Sequence, residues 1–169
     1  MVLSDDFFNR DCLDVAPELV GKLIVRKLDD GNEIRLRITE TEAYRGEEDK
    51  GCHASRGRTP RTELLYNKAG TIYVYLCYGV HWLMNAVTGE EGEPQAVLIR
   101  CCEGFEGPGK LTKKLKIDKS FNGESFVGNL RICLEDDGYV PQIVTATRVG
   151  IDYAGDVWKN KLWRFIDKG

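Results

Sequence analysis

The 169-residue sequence is short of histidine, methionine and proline, with two, two and five of each, and it contains no long hydrophobic run. No apolar stretch approaches the ~20 residues of a membrane-spanning helix. The start, Met-Val-Leu-Ser-Asp-Asp, lacks the basic segment and apolar core of a secretory signal, which predicts a cytoplasmic protein. Six cysteines, at 12, 52, 77, 101, 102 and 133, include no C-x-x-C pair, and nothing nearby completes a ligand set around Cys52 and His53. No metal, no other cofactor and no disulfide is therefore expected. Cys77, Cys101 and Cys133 lie in apolar runs and are expected to be small buried hydrophobes. The zinc-deaminase signature is absent as well. So is the strong basic excess common in nucleic-acid-binding proteins, since the net charge is −3.

What is present is the composition of a folded domain, 42% hydrophobic and 30% charged, which excludes intrinsic disorder. The length predicts one domain, residues 1–169, with a self-sufficient core. The charges are segregated. Residues 50–68 carry five cations (Lys50, Arg56, Arg58, Arg61, Lys68) against Glu63, and residues 110–119 carry five lysines against Asp118. Two such patches on an acidic chain can grip phosphates, or they can be solvated faces.

Neither a repeat nor a linker divides the chain. Residues 14–20 read as a short helix, with Asp14 as its cap, Pro17 in its first turn and Gly21 closing it. Strands are expected at 22–28 and 33–44 around the turn Asp29–Asn32. A long polar loop follows over 45–70, with a helical turn near 61–66; loops of that length in a small domain are usually functional. Strands at 71–76, 81–88 and 96–102, joined by short turns at Tyr78-Gly79 and 89–94, make an antiparallel meander. A basic helix is expected at 110–117, strands at 130–134 and 143–151, and helix or strand at 158–165. The pattern predicts an α+β fold, a single compact domain with a curved, mainly antiparallel sheet and surrounding helices.

Three stretches could carry chemistry. Strand periodicity places Ile34, Leu36, Ile38, Glu40, Glu42 and Tyr44 on one face, which begins as core and ends in two carboxylates. Burial there raises a carboxyl pKa and suits it to general-base work. The alternative is a solvated strand end, or an ion pair with Arg37 or Arg100. A second stretch, residues 71–79, packs Tyr73, Tyr75 and Tyr78 into six residues. Tyrosine is a good strand former, but it also stacks on nucleobases, and at a hairpin tip it can fill the gap left by a displaced base. The third stretch, 52–61, alternates Arg56, Arg58 and Arg61 with Ser55 and Thr59, glycine and proline, a composition suited to cradling phosphates. A base, an aromatic cluster and a phosphate grip within one window are what a base-flipping enzyme needs.

The ordered string Glu40-Thr41-Glu42-Ala43-Tyr44, His53, Arg58-Thr59-Pro60-Arg61, Gly70–Tyr75, Tyr78-Gly79 and Met84-Asn85 closely resembles the methylpurine (alkyladenine, 3-methyladenine) DNA glycosylases. The likeness continues through Val97–Arg100, Gly107–Leu111 and Arg148–Ile151, and covers nearly the whole chain. It implies excision of damaged purines from double-stranded DNA without strand cleavage, by a monomer needing no cofactor, membrane or protein partner. By the resemblance Glu42 is the general base. Arg100 and the main-chain carbonyl of Val149 help hold its water. Tyr44 and Tyr75, with His53 opposite, sandwich the flipped base. Asn85, with Leu98 beside it, discriminates among purines, and Tyr78 is the wedge. Arg58, Thr59, Arg61 and Lys110 contact DNA phosphates. For a neutral base such as hypoxanthine a general acid would be required, and the sequence names none. The acidity of the chain predicts strongly salt-dependent binding, and Val80 and His81 bear on the width of substrate range.

Rival readings remain open: a damaged-DNA-binding module without catalysis, a nucleoside hydrolase, and a thiol or metal enzyme built on Cys52–His53. Glu42 discriminates the first, since a binding module has no use for a half-buried carboxylate. The basic segments discriminate the second, because a free nucleoside has no phosphates. The third lacks a second ligand pair. Glu40 replaces Glu42 as the base if the strand is bulged.

Overall fold

A computed structural model describes the chain from Met1 to Gly169. In order, the elements are α1 (Asp5–Phe8), α2 (Cys12–Leu19), β1 (Leu23–Lys27), β2 (Glu33–Arg45), β3 (Ile72–Cys77), β4 (His81–Thr88), β5 (Gln95–Cys102), β6 (Phe105–Glu106), α3 (Pro108–Lys114), β7 (Ile132–Glu135), β8 (Ile143–Ala146), α4 (Gly155–Lys159) and β9 (Arg164–Asp167). The strands join in one sheet of order β3-β4-β5-β2-β1-β7, with β6 on β5 and the β8–β9 pair on β2. Neighbours pair antiparallel throughout, so the fold is α+β as expected. The thirteen-residue β2 is its hub: its first half pairs with β1 and its second half with both β5 and β9.

The two faces of the sheet have different fates. Ile72 and Val74, Met84 and Ala86, and Val97 and Ile99 face the main core, with Phe8, Leu19, Leu111, Leu115 and Phe126. The alternate residues Tyr73, Val87 and Ala96 belong to a smaller cluster with Cys52, Ala54, Leu65 and Tyr66, beneath the long loop. Period-2 alternation therefore sends every second residue of the meander to the loop-covered face.

In β2 that alternation is interrupted. Ile38 and Ala43 both belong to the main core, although they are an odd number of residues apart. Pairing with β5 is irregular between Ile38 and Thr41, around Glu40. Such an irregularity lets the strand change face. The expectation that Ile34 to Tyr44 share one face is thus corrected. Leu36 and Ile38 point to the core, and after the irregularity Ala43 does, so Glu42 and Tyr44 emerge on the opposite face.

Several local expectations shift. The first long helix spans Cys12–Leu19, and its cap is Asp11 rather than Asp14: Leu13 N–H donates to Asp11 Oδ1 at 2.9 Å. Asp11 directly precedes the apolar-periodic Cys12, Val15, Ala16 and Leu19, so Pro17 falls in the helix interior and not in its first turn. The basic helix starts two residues early, at Pro108, a residue preorganised for the first helical position. The strand expected at 143–151 ends at Ala146, because Arg148 turns inward. The tail contains both a helix and a strand, α4 and β9. Residues 53–56 and 63–66 form 3-10 turns within the long loop. Cys77, Cys101 and Cys133 are half-buried, not core; Cys12, Cys52 and Cys102 are the buried thiols, and all six are free.

Asp11 also pairs with Arg45, with Nη2–Oδ2 at 2.5 Å. Asp11→Ala should lower stability by ~1–2 kcal/mol, combining a lost cap with a partly exposed ion pair. In urea denaturation Asp11→Asn should regain about the cap's share, ~1 kcal/mol. Equal losses for both variants would show that the cap contributes nothing.

Candidate active site

The loop-covered face of the sheet forms the floor of a cleft of about 720 Å³. Glu42 and Tyr44 from β2, Tyr73 and Tyr75 from β3, Leu83 and Asn85 from β4, and Leu98 and Arg100 from β5 reach it by alternation. His53 and Arg61 from the long loop, Tyr78 from the β3–β4 turn, His81 from the start of β4, Pro108 to Lys110 from α3, and Val149 to Ile151 line its walls.

Glu42 is fully buried at 0% exposure. Its Oε2 accepts the Val149 N–H at 2.6 Å and its Oε1 accepts the Tyr44 hydroxyl at 3.1 Å. Burial pushes the carboxyl above the ordinary carboxylate range, against the pull of the Val149 N–H, the nearby Arg100 charge and the Tyr44 hydroxyl. No cation pairs directly with it. The Val149 carbonyl accepts no hydrogen bond within the chain.

Glu40, at the irregularity in β2, takes the other course. Arg100 Nε lies 2.7 Å from its Oε2, an ion pair lacking hydrogen-bond alignment, and Arg164 Nη1 lies 3.4 Å from the same oxygen. The anticipated ion pair with Arg100 thus belongs to Glu40, which does not line the cleft. Arg37 pairs elsewhere, with Asp137.

The aromatics form a contiguous group. Tyr73 and Tyr75 have ring centroids 5.5 Å apart. His53 meets Tyr75 edge-on at 4.6 Å and 66°. Two flanking rings need about 7 Å between them to admit a planar base, twice the van der Waals contact distance. His53 therefore packs against Tyr75 instead of lying opposite it across an open gap. Its Nδ1 is 3.0 Å from the Tyr73 hydroxyl, and burial, with the charges of Arg61 and Arg56, pulls its pKa down to about 4. The imidazole is neutral at pH 7. Asn85 Nδ2 donates to the Tyr73 carbonyl at 3.1 Å, and Leu98 is its cross-strand partner.

At the rim, Tyr78 is 92% exposed and holds a positive φ of 52°, followed by Gly79 at 68°. Two successive positive φ values suit the tight hairpin turns that match strand twist, but a bulky residue at the first position is strained. Nothing packs on the side chain to explain the choice. Arg61 stands 5.7 Å from the Tyr75 ring centroid, and Lys110 is exposed on the opening turn of α3. Arg58 and Thr59 are outside the cleft. Arg58 is paired with Glu63 at 2.7 Å, and Thr59 Oγ1 is 3.1 Å from Thr62 Oγ1.

Sequence reasoning missed the group that braces the site. Arg148 and Asp49 form an ion pair with both side chains at 0% exposure, at 2.6 Å and 2.9 Å. Arg148 Nη1 also donates to the Ala43 carbonyl, while Asp49 accepts the N–H groups of Arg45 and Gly51. Burial opposes the guanidinium charge, but Asp49 outweighs it and raises the Arg148 pKa. The two residues are 99 positions apart, and no local pattern couples them. Tyr153, whose hydroxyl donates to the Gly51 carbonyl at 3.2 Å, and the structural hydrogen bond of Tyr73 also went unread. No group of three His, Cys, Asp or Glu side chains is placed to hold a metal, and no helix is long and apolar enough to cross a membrane.

Arg148→Met should cost ~3–5 kcal/mol, because it strands a buried carboxylate. A denaturation midpoint within experimental error of wild type would refute the bracing role.

The Methylpurine-DNA glycosylase (MPG) family model matches residues 6–169. A protein of Desulfitobacterium hafniense is 44% identical over 96% of this chain and 93% of its own length. One of Natranaerobius thermophilus is 43% identical over 98% and 94%, and one of Borreliella afzelii is 44% identical over 96% and 94%. Each carries the description "Putative 3-methyladenine DNA glycosylase". With a match spanning all but the first five residues, and with relatives this similar over nearly their full length, the chain belongs to the methylpurine-DNA glycosylase family.

Proposed function

We propose that the protein is a 3-methyladenine DNA glycosylase that flips alkylated purines out of duplex DNA and hydrolyses the N-glycosidic bond, leaving an uncut abasic strand. The observation that carries this reading is a fully buried carboxylate, unpaired with any cation, on the floor of an aromatic cleft. A purine such as 3-methyladenine carries positive charge, so its bond to the sugar is already weak. Glu42 then needs only to orient and deprotonate a water that captures the oxocarbenium-like carbon. The Val149 N–H fixes one carboxylate oxygen. We assign the holding of that water to Arg100 and the main-chain carbonyl of Val149, two residues that line the cleft.

Tyr44 and Tyr75 offer π faces that attract a cationic base more than a neutral one. His53 suits the same site because it is uncharged at neutral pH; an imidazolium would repel the substrate. A base inserting between His53 and Tyr75 parts the two rings. Asn85 and Leu98 shape the floor that discriminates among purines. Tyr78 enters the duplex where the base left. Arg61 and Lys110 hold phosphates beside the cleft. Arg58 and Thr59 join them once phosphate replaces Glu63 as the partner of Arg58. The one lysine lining the cleft, Lys110, is exposed and assigned to phosphate; with no amine assigned to attack the sugar, the reaction stops at hydrolysis.

The test is release of free base from methylated duplex DNA. Glu42→Gln should lower the single-turnover rate by ~10²–10⁴-fold, the range for a lost general base, while lesion binding changes little. Because burial raises the Glu42 pKa, wild-type activity should fall on acidification with a midpoint above the ordinary carboxylate range, and this limb should be absent from the residual activity of the variant. Excision that survives Glu42→Gln but is lost in Glu40→Gln would sink the assignment. Lesion binding without release by wild type would favour a non-catalytic damage-binding module.

A further inference from the structure

The two non-glycine residues with left-handed backbone are Tyr78 and Lys116, at φ values of 52° and 53°. Tyr78 lies on the wedge turn. Lys116 ends α3, at a position where glycine or asparagine is usual. It is exposed and forms no ion pair, although its charge reaches Asp30 in the β1–β2 turn, and no packing explains a lysine there.

The helix before it has one buried and one cationic face. Leu111, Thr112 and Leu115 are buried, while Lys110, Lys113 and Lys114 are exposed. Their i, i+3 and i+4 spacing puts these three lysines on one face, with neighbours ~5–6 Å apart. None of them is in an ion pair; Lys114 Nζ rests 5.7 Å from the Phe105 ring centroid. The single nearby carboxylate in this segment, Asp118, accepts the Ser120 N–H. Lys110 lines the cleft, so the cationic face continues out of it.

The helix is also pinned to the wedge hairpin. Thr112 Oγ1 donates to the Trp82 carbonyl at 2.6 Å. Gly109 lies so close to His81 that a Cβ there would sit 2.7 Å from the ring. The lysine face therefore has a fixed position next to the turn that bears Tyr78. Duplex engaged by that turn thus has this helix as its neighbour.

We propose that Lys113, Lys114 and Lys116 hold backbone phosphates of the duplex flanking the extruded nucleotide, extending the grip of Lys110 beyond the cleft. This rests on the glycosylase reading above. It also accounts for how a chain of net charge −3 engages DNA: residues 110–119 concentrate five lysines against one acid.

The probe is a duplex oligonucleotide with one tetrahydrofuran abasic-site analogue, with binding by the full chain followed at rising KCl. Each phosphate contact contributes about 0.9 to the slope of log affinity against log salt. The triple variant Lys113→Ser/Lys114→Ser/Lys116→Gly should lose roughly 2–3 units of slope. Between about 50 and 200 mM salt, wild type should then lose ~40-fold more affinity than the variant does. Lys116→Gly alone should melt no lower than wild type, since glycine suits the left-handed backbone, yet bind about 5-fold more weakly. An unchanged slope in the triple variant overturns the proposal. So does a Lys116→Gly variant that melts lower but binds as wild type does, because that pattern belongs to a structural lysine. Wild-type protein that neither binds this duplex nor releases base would instead sink the underlying glycosylase reading.

Discussion

The geometry of the cleft depends on the buried pair between Arg148 and Asp49. A completely desolvated guanidinium and carboxylate are costly to assemble, and further hydrogen bonds to their remaining groups offset that cost. Here Asp49 accepts two main-chain N–H groups besides the guanidinium, and Arg148 reaches the carbonyls of Ala43 and Trp158, while its Nε has no partner. The pair thereby ties three segments together: the end of β2, the start of the long loop and the segment after β8. The next residue after Arg148 is Val149, whose N–H lands on Glu42. The Arg148 guanidinium also stands 4.9 Å from the Tyr44 ring centroid. A carboxylate and an aromatic at the end of one strand are thus held from a segment more than a hundred residues away. An apolar contact could bring these segments together, but it would not fix the orientation of a main-chain N–H with the same directionality.

The second constraint is the irregular pairing around Glu40. It decides which of two carboxylates becomes a candidate base. Simple alternation from Ile38 would send Glu42 toward the main core, where no partner waits. The face change turns Glu42 into the cleft and leaves Glu40 between Arg100 and Arg164, a neutralised position. Arg100 consequently belongs to both carboxylates: it pairs directly with Glu40, and its charge also restrains the rise in the Glu42 pKa. The same strand position therefore supplies both the burial that raises that pKa and the cation that limits the rise.

What could be read from the sequence follows the same division. The meander of β3, β4 and β5 was legible because period-2 patterning and short turns are local signals, and its alternate residues do form the cleft floor. The extended 33–44 stretch was legible as a strand, but its change of face was not, because no proline or glycine marks the irregularity. Asp11 rather than Asp14 caps α2, and the difference lies in which residue first precedes the apolar stripe. The Arg148–Asp49 pair was invisible for a different reason. A buried ion pair between distant segments leaves no periodicity, and Asp49 sits beside Glu47, Glu48 and Lys50 as though in an ordinary solvated turn. His53 was found from its motif, but its contact with Tyr75 depends on how the loop settles over the sheet.

That contact bears on selectivity. On the proposed reading, a base that inserts between His53 and Tyr75 separates two rings, in edge-on contact, whose mutual attraction is worth ~0.5–1.5 kcal/mol beyond buried area. The cost is the same for every base. The gain on entry is not, since a cationic base over a desolvated aromatic face gains up to ~2 kcal/mol that a neutral purine does not. The two magnitudes are comparable, so a uniform opening cost can leave a neutral base near break-even while a charged one remains favoured. A preopened gap would admit both, and discrimination would then rest on the floor residues Asn85 and Leu98 alone. On the proposed reading, the closed aromatic contact adds a threshold that charge helps the substrate to cross, and the neutral state of His53 keeps that threshold from becoming a barrier to the cationic substrate itself.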